Sequence, residues 1–313
     1  MEYRNLGRSG LQVSVVGLGT NNFGGRMDAA ATANVVDACL DHGITLFDTA
    51  DVYGGQGKSE EYLGKALQGG KREKAVVATK FAMKMGEGPH TSGGSRKYIM
   101  AAVDASLKRL GTDYIDLYQI HRPDPTTPLE ETMRALDDLV RDGKVRYLGN
   151  SNFAGWQISD AYHIAKRERL TPFISAQNEY SLLTRGVEHE VAPAATAFGL
   201  GVLPFFPLAS GLLTGKYRRG EAAPAGTRLA AGPAGQRALT DSNFDVVEKL
   251  EEYAQTHGHT LLEIAFSWLA SKPYVGSVIA GATKPEQVTA NAAAASWKLS
   301  AEEMAEVDAL ARR

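Results

Sequence analysis

Four residues in this chain have the types and spacing for proton chemistry at a carbonyl: Asp48, Tyr53, Lys80 and His121. Asp48 and Tyr53 fall in Gly43-Ile-Thr-Leu-Phe-Asp-Thr-Ala-Asp-Val-Tyr-Gly54, Lys80 ends Ala75-Val-Val-Ala-Thr-Lys80, and His121 ends Ile115-Asp-Leu-Tyr-Gln-Ile-His121. A carbonyl that accepts hydride develops negative charge on oxygen and needs a proton there. A free phenol, with a pKa of about 10, holds its proton too tightly to serve both directions near neutral pH. An ammonium about 4 Å away favours the phenolate by up to ~4 kcal/mol at an effective dielectric of ~20, before burial opposes it. On this logic Tyr53 is the proton donor, Lys80 acidifies it and Asp48 anchors the lysine. His121 is then a second hydrogen-bond donor that orients the carbonyl. Taken singly, each reads more plainly as a turn aromatic, a solvated cation or a polar strand end. Together they carry more, because each lies at or just beyond the C-terminal end of a short apolar run.

Those runs belong to a longer pattern. Segments 15–19, 46–49, 75–79, 115–119, 146–149, 174–178, 201–205 and 276–279 read as strands. Amphipathic stretches near 30–42, 59–68, 95–110, 129–142, 153–168, 187–198, 243–271 and 285–295 read as helices. The pattern after Pro128 (Leu129, Met133, Leu136, Leu139, Val140) is helical, and Asp142-Gly143 stops it. Eight such units predict an α/β fold, a (β/α)8 barrel forming a single domain over 1–313, with all C-terminal strand ends on one rim. Residues 3–6 and 11–13, around Gly7-Arg-Ser-Gly10, predict a hairpin capping the barrel bottom. Residues 215–242 are rich in Gly, Ala, Pro and Arg, lack periodicity and follow the seventh strand, which predicts a mobile lid over a bound ligand.

The chain has 313 residues, 34 basic and 36 acidic, for a net charge of -2. That balance gives no electrostatic reason to expect nucleic acid or an anionic membrane as partner. The most apolar stretch, 198–213, is broken by glycine and proline, so no membrane span is expected. The lone cysteine, Cys39, sits in a helical pattern with Val35, Val36 and Leu40 and reads as core filler. With no signal-peptide pattern at Met-Glu-Tyr-Arg-Asn, it predicts a cytoplasmic protein.

The tetrad segment Asp-Thr-Ala-Asp-Val-Tyr-Gly followed by Ser59-Glu60, together with Tyr118-Gln-Ile-His-Arg-Pro-Asp124 and Gly143-Lys-Val-Arg-Tyr-Leu-Gly149, resembles the aldo-keto reductase superfamily. The likeness is to the bacterial branch that includes the β-subunits of voltage-gated potassium channels. It runs nearly end to end. It implies reduction of small-molecule aldehydes or ketones with a nicotinamide cofactor held without a Rossmann domain. Consistently, Gly17-Leu-Gly-Thr-Asn-Asn fails the dinucleotide fingerprint, and Gly57-Lys-Ser59 lacks the earlier glycine of a P-loop because Val52 stands there.

The resemblance also implies a cofactor site. Gly19, Thr20, Asn21 and Asp48 would belong to it, and Ser151, Asn152 and Gln177 would hold the carboxamide. Phe205 would stack on the nicotinamide, while Pro207, Leu208, Gly211, Leu213 and Lys216 would border the pyrophosphate. Gly281, Thr283, Lys284, Gln287 and Asn291 would take the adenosine phosphate, at a helix N-terminus opened by Pro285. Lys284 and Thr283 favour NADPH/NADP+ over NADH. Blander readings stand beside these: Ser151 or Asn152 as helix cap to a helix at Phe153, Phe205 as core, Lys284 as a solvated cap. Phe206, Ala280 and Asn150 depart from the family pattern, where serine, proline and an aliphatic residue are common. A second functional reading is an NADPH-sensing binding module like the channel β-subunits. A metal hydrolase is disfavoured, because the seven histidines form no ligand spacing and His257-Gly-His259 reads as a helix-ending turn.

Overall fold

The computed structural model describes residues 1–230 and 233–312. Two antiparallel strands, β1 (Tyr3–Asn5) and β2 (Gln12–Ser14), form the N-terminal hairpin. Eight parallel strands follow: β3 (Val16–Gly19), β4 (Leu46–Asp48), β5 (Val76–Phe81), β6 (Ile115–Ile120), β7 (Val145–Ser151), β8 (Phe173–Glu179), β9 (Gly201–Phe205) and β10 (Val278–Gly281). They pair in the order β10-β3-β4-β5-β6-β7-β8-β9, and a parallel bridge between Val202 and Val275 closes the ring. The expected (β/α)8 barrel is what forms, and closure leaves no long unpaired edge among these strands.

Side-chain alternation along each strand sorts the barrel interior into layers. Leu46, Ala78, Leu117, Leu203 and Ile279 pack as one inner cluster with Leu6 and Val13 of the hairpin. The hairpin therefore plugs the bottom, as expected, with Arg8 N–H donating to Gly199 O at 2.8 Å just before β9. Two residues further along β4, β5 and β6, the same alternation turns Asp48, Lys80 and Gln119 to the interior, one layer nearer the rim. A larger apolar layer fills the space between the strands and the outer helices, where Cys39 is buried among Val35, Val36 and Phe47.

The helices begin and end where local chemistry directs. Asp28, Ser95, Thr240, Thr260 and Ser300 each accept a backbone N–H in the first turn of the helix they cap. Three readings need correction. The stretch near 243–271 is two helices, Asp241–Thr256 and Leu261–Ser271, broken at the His257-Gly-His259 turn where Gly258 takes φ 75°. The helix after β7 starts at Gly155 with Ala154 as its cap residue, so neither Ser151 nor Asn152 caps it. Finally, a helix at Ala301–Leu310 escaped the sequence reading.

Candidate active site

Residues from seven of the eight strand ends, all but β5, border a cavity of 670 Å³ at the C-terminal rim. Asp48 ends β4, Lys80 lies in β5, and His121 follows β6 with its N–H bonded to Phe81 O of β5 at 2.9 Å. Tyr53 comes from the turn after β4, where its N–H donates to Ala50 O at 3.2 Å. Gly54 makes that turn possible: it takes φ 70°, and a Cβ there would sit 2.4 Å from Phe23 O.

Lys80 is wholly buried and donates to Asp48 Oδ2 at 2.7 Å and to Thr49 O at 2.9 Å. Asp48 Oδ1 accepts from Gln177 Nε2 at 2.8 Å and from Gln119 Nε2 at 3.4 Å. The buried ion pair is thus held on both carboxylate oxygens, the condition under which such a pair is tolerable. The lysine ammonium lies 5.1 Å from the centre of the Tyr53 ring, and the His121 ring meets that ring edge-on at 5.7 Å. The four residues expected to act together are brought together.

The electrostatics refine the expected roles. Burial holds the Tyr53 phenol above its ordinary value; Lys80 pulls it down and Asp48 pushes it up again. The expectation that the lysine leaves the phenol more acidic than a free tyrosine is therefore not met in net terms, because burial outweighs a cation that a carboxylate already neutralises. Burial also penalises the Lys80 ammonium, yet Asp48 and Tyr53 more than offset it, and its pKa stands above the usual value. His121 is lowered to about 3 by burial, with Lys80 and Arg122 adding repulsion. Its ring is neutral at physiological pH, and Nδ1 is buried without a partner among the described residues.

Behind the tetrad lies a second buried polar group. Asp51 accepts from Tyr98 Oη at 3.3 Å, while Glu60 accepts from Arg109 Nε at 2.6 Å and from Thr79 Oγ1. Burial, and then Glu60, push the Asp51 carboxyl up to about 7. Ser59 bonds both Thr20 and Thr49, which ties the turn carrying Tyr53 to the ends of β3 and β4.

Most residues expected around a cofactor do line the cavity: Gly19, Thr20, Asn21, Asp48, Ser151, Asn152, Gln177, Phe205, Pro207, Leu208, Gly211, Lys216, Gly281, Thr283, Gln287 and Asn291. Leu213 does not. It is fully buried in the outer core, where its side chain holds the 3-10 segment Ala209–Thr214 against the barrel. Lys284 is also off the lining, exposed as the cap residue before Pro285. Asn152 takes φ 61° and donates to His121 O at 2.9 Å, so it also braces the end of β6 against β7. Gln287 Oε1 accepts from Thr283 N at 2.7 Å, fixing the turn before its helix.

Sequence reasoning singled out none of Arg26, Arg122 and Arg228 as lining residues, and gave Phe206 only as a departure from the family pattern. Arg228 belongs to the segment after β9 that crosses the cavity mouth; its guanidinium lies 5.3 Å from the Phe206 ring and donates to Asn21 at 3.3 Å. Phe206, a departure from the family pattern, thus offers an aromatic platform to that arginine. Only the GTR-like local order Gly226-Thr-Arg228 in a polar loop marked it, which is no signal without the fold. Residues 231–232 of the expected lid lie outside the described residues; Pro233–Ala238 is a short helix.

Comparison with known proteins agrees with the geometry. The family described as "Aldo/keto reductase family" matches residues 15–312. A rice (Oryza sativa subsp. japonica) protein named "Probable voltage-gated potassium channel subunit beta" is 42% identical over 298 residues, covering 93% of this chain and 90% of the relative. "L-glyceraldehyde 3-phosphate reductase" of Escherichia coli (strain K12) is 36% identical over 320 residues, covering 98% and 92%. "Aldo-keto reductase YhdN" of Bacillus subtilis (strain 168) is 34% identical over 316 residues, covering 99% and 93%.

Proposed function

The chain belongs to the aldo/keto reductase family of oxidoreductases, and from that premise we propose that it reduces aldehydes or ketones to alcohols with NADPH as hydride donor and Tyr53 as proton donor. The observation that carries this reading is the buried Lys80–Asp48 pair set 5.1 Å from the Tyr53 ring beside a neutral His121. When bound, the nicotinamide supplies hydride. The residues here do the rest. His121 donates one hydrogen bond to the carbonyl oxygen and Tyr53 delivers its proton there as charge develops. Lys80 offsets the charge left on the phenol, and Asp48, held by Gln119 and Gln177, keeps the ammonium in place.

The donor set suits a dinucleotide. Ser151 and Gln177 offer a hydroxyl and an amide to a carboxamide, and Phe205 offers an aromatic face. Lys216 and Arg228 border the cavity without any carboxylate beside them in its lining, and the helix Pro285–Ala294 points its N-terminus toward the same side. Lys284 at that terminus supports NADPH over NADH. The name of the rice relative supports one further use, docking to a channel protein, and the intact tetrad makes catalysis the primary reading.

An NADPH-oxidation assay over a panel of aldehydes and ketones tests the proposal. Turnover that disappears in Tyr53→Phe while NADPH still binds supports it. NADPH binding without turnover of any carbonyl by the wild type would leave the sensing module in its place.

A further inference from the structure

The cavity has an unbalanced charge. Arg26, Arg122, Lys216 and Arg228 line it, against a single carboxylate, Asp48, which Lys80 already neutralises. These cations fall into two groups. Lys216 and Arg228 follow β9, and Arg26 follows β3, so they flank β10 and the helix terminus at Pro285. Arg26 and Arg228 are also close enough to repel one another. That group is accounted for by the phosphates of a dinucleotide.

Arg122 is not. It follows β6, and β6 and β10 are four places apart in a ring of eight strands, which sets them on opposite sides of the barrel. Arg122 is exposed, and among the described residues its guanidinium has neither an ion pair nor a hydrogen bond. The nearest acid in sequence is already engaged: Asp124 accepts from Thr126 on one oxygen and from Gly94 and Thr127 on the other. The Arg122 charge is felt at the His121 ring, the group assigned to the carbonyl oxygen. An unpaired guanidinium fork beside a reacting carbonyl is matched by a carboxylate or phosphate, which it can engage with two hydrogen bonds.

We infer that Arg122 is a specificity-determining residue that selects carbonyl substrates carrying an anionic group, carboxylate or phosphate, a few bonds from the reacting carbon. This rests on the carbonyl-reductase reading above and narrows its substrate class. A fork open to solvent and supported by no second cation sets the size of the effect: one hydrogen-bonded charge pair, or about tenfold.

Two matched pairs of substrates test it with NADPH as donor: succinic semialdehyde against butanal, and glycolaldehyde phosphate against glycolaldehyde. The wild type is expected to prefer the anionic member of at least one pair by about tenfold in kcat/KM, chiefly through KM. The pair that shows it identifies the carboxylate or the phosphate as the group recognised. Arg122→Gln should reduce that preference to near unity, and Arg122→Lys should restore part of it. Added salt should weaken the preference in the wild type. The dissociation constant for NADPH, read by fluorescence, should change by less than about twofold in Arg122→Gln, because the residue lies opposite the phosphate side. Turnover of all four carbonyls without preference would overturn the inference and leave the reductase reading standing. A large loss of NADPH affinity in Arg122→Gln would overturn it by assigning the residue to the cofactor. No turnover of any of the four would overturn the inference, and the wider carbonyl panel would then decide the reductase reading.

Discussion

The two arcs of the rim hold their functional side chains by different means. On the arc from β4 to β6, Asp48 and Lys80 are buried, face inward from strands, and are fixed by hydrogen bonds to Gln119, Gln177 and Thr49. On the arc from β9 through β10 to β3, the polar groups come from loops and helix ends. Phe206, Ala209 and Ser210 there take φ of 52°, 46° and 58°, left-handed values that non-glycine residues adopt at a cost. Lys216 and Lys284 are exposed, and Arg228 is held mainly by a ring and one long hydrogen bond. The first arc fixes its charged groups with short hydrogen bonds. The second offers backbone groups and loop-borne cations to the proposed cofactor, where many weak contacts would share the task. Single substitutions should therefore be severe on the first arc and graded on the second.

The largest effect is expected at Tyr53. Tyr53→Phe removes the proposed proton donor and keeps the ring that packs against His121, so kcat should fall by about 10²–10⁴-fold. NADPH affinity should barely move. Steady-state assays paired with fluorescence binding check both, and a kcat within tenfold of wild type would break the contrast between the arcs at its strongest point.

Next comes Lys80→Met. It strands a buried carboxylate that has only two amide donors left, and should cost about 3–5 kcal/mol in urea unfolding, along with activity. Adding Asp48→Asn should recover much of that stability but none of the turnover. Equal stability of the single and double variants would mean that the pair is not coupled.

A pH experiment reaches the layer behind this arc. The Asp51 carboxyl is raised to about 7 in the fold, against about 3.9 for a free aspartate. Its contribution to stability is complete below pH ~4 and is lost as pH rises from ~4 to ~7, because the native state holds the proton longer. Asp51→Asn should therefore lose less stability, or gain more, between pH 5 and pH 8 than the wild type does, by a difference on the order of a few kcal/mol. His121 works in the opposite sense. With its pKa lowered to about 3, it is fully stabilising above pH ~6.5 and loses that as pH falls. With Asp51 gone, stability should rise between pH 5 and 8, and a pH dependence identical to that of the wild type would remove Asp51 as a contributor.

The difference between the arcs also explains what could be read in advance. Strand-borne groups announce themselves: an inward position two residues beyond Leu46, Ala78 or Leu117 is next to the rim, so Asp48, Lys80 and Gln119 follow from alternation once the barrel is recognised. Tyr53 needed the additional fact of a turn that only glycine at position 54 permits. Loop-borne groups carry no such period. Arg228 becomes visible only when the chain brings 228 back to Asn21, and Arg122, though next to His121 in sequence, needs the fold to place it on the cavity lining. Leu213 illustrates the converse: named with its loop, its side chain packs in the core, where left-handed φ at Ala209, Ser210 and Gly211 breaks the regular turn of the segment. The Ala301–Leu310 helix was missed for a related reason, since only Val307 in it is deeply buried and its apolar stripe is faint.

The smallest effect is expected at Lys284, and it bears most directly on how the second arc works. Two mechanisms compete for an anion there. The helix Pro285–Ala294 offers free N–H groups and the positive end of its dipole, both of which remain whatever residue occupies 284. The Lys284 ammonium adds a point charge that is exposed and forms no side-chain cap. If side chains discriminate between the cofactors, Lys284→Ala should raise the NADPH dissociation constant by about tenfold, or ~1.4 kcal/mol, and leave that of NADH nearly unchanged. If the backbone carries most of the binding, both constants should shift together by less than about threefold. The first result would show the second arc built on a base of backbone contacts, with one exposed charge setting selectivity. The second would remove Lys284 from the phosphate site and pass the discrimination to Arg228, whose cation is half-buried and already oriented by Phe206.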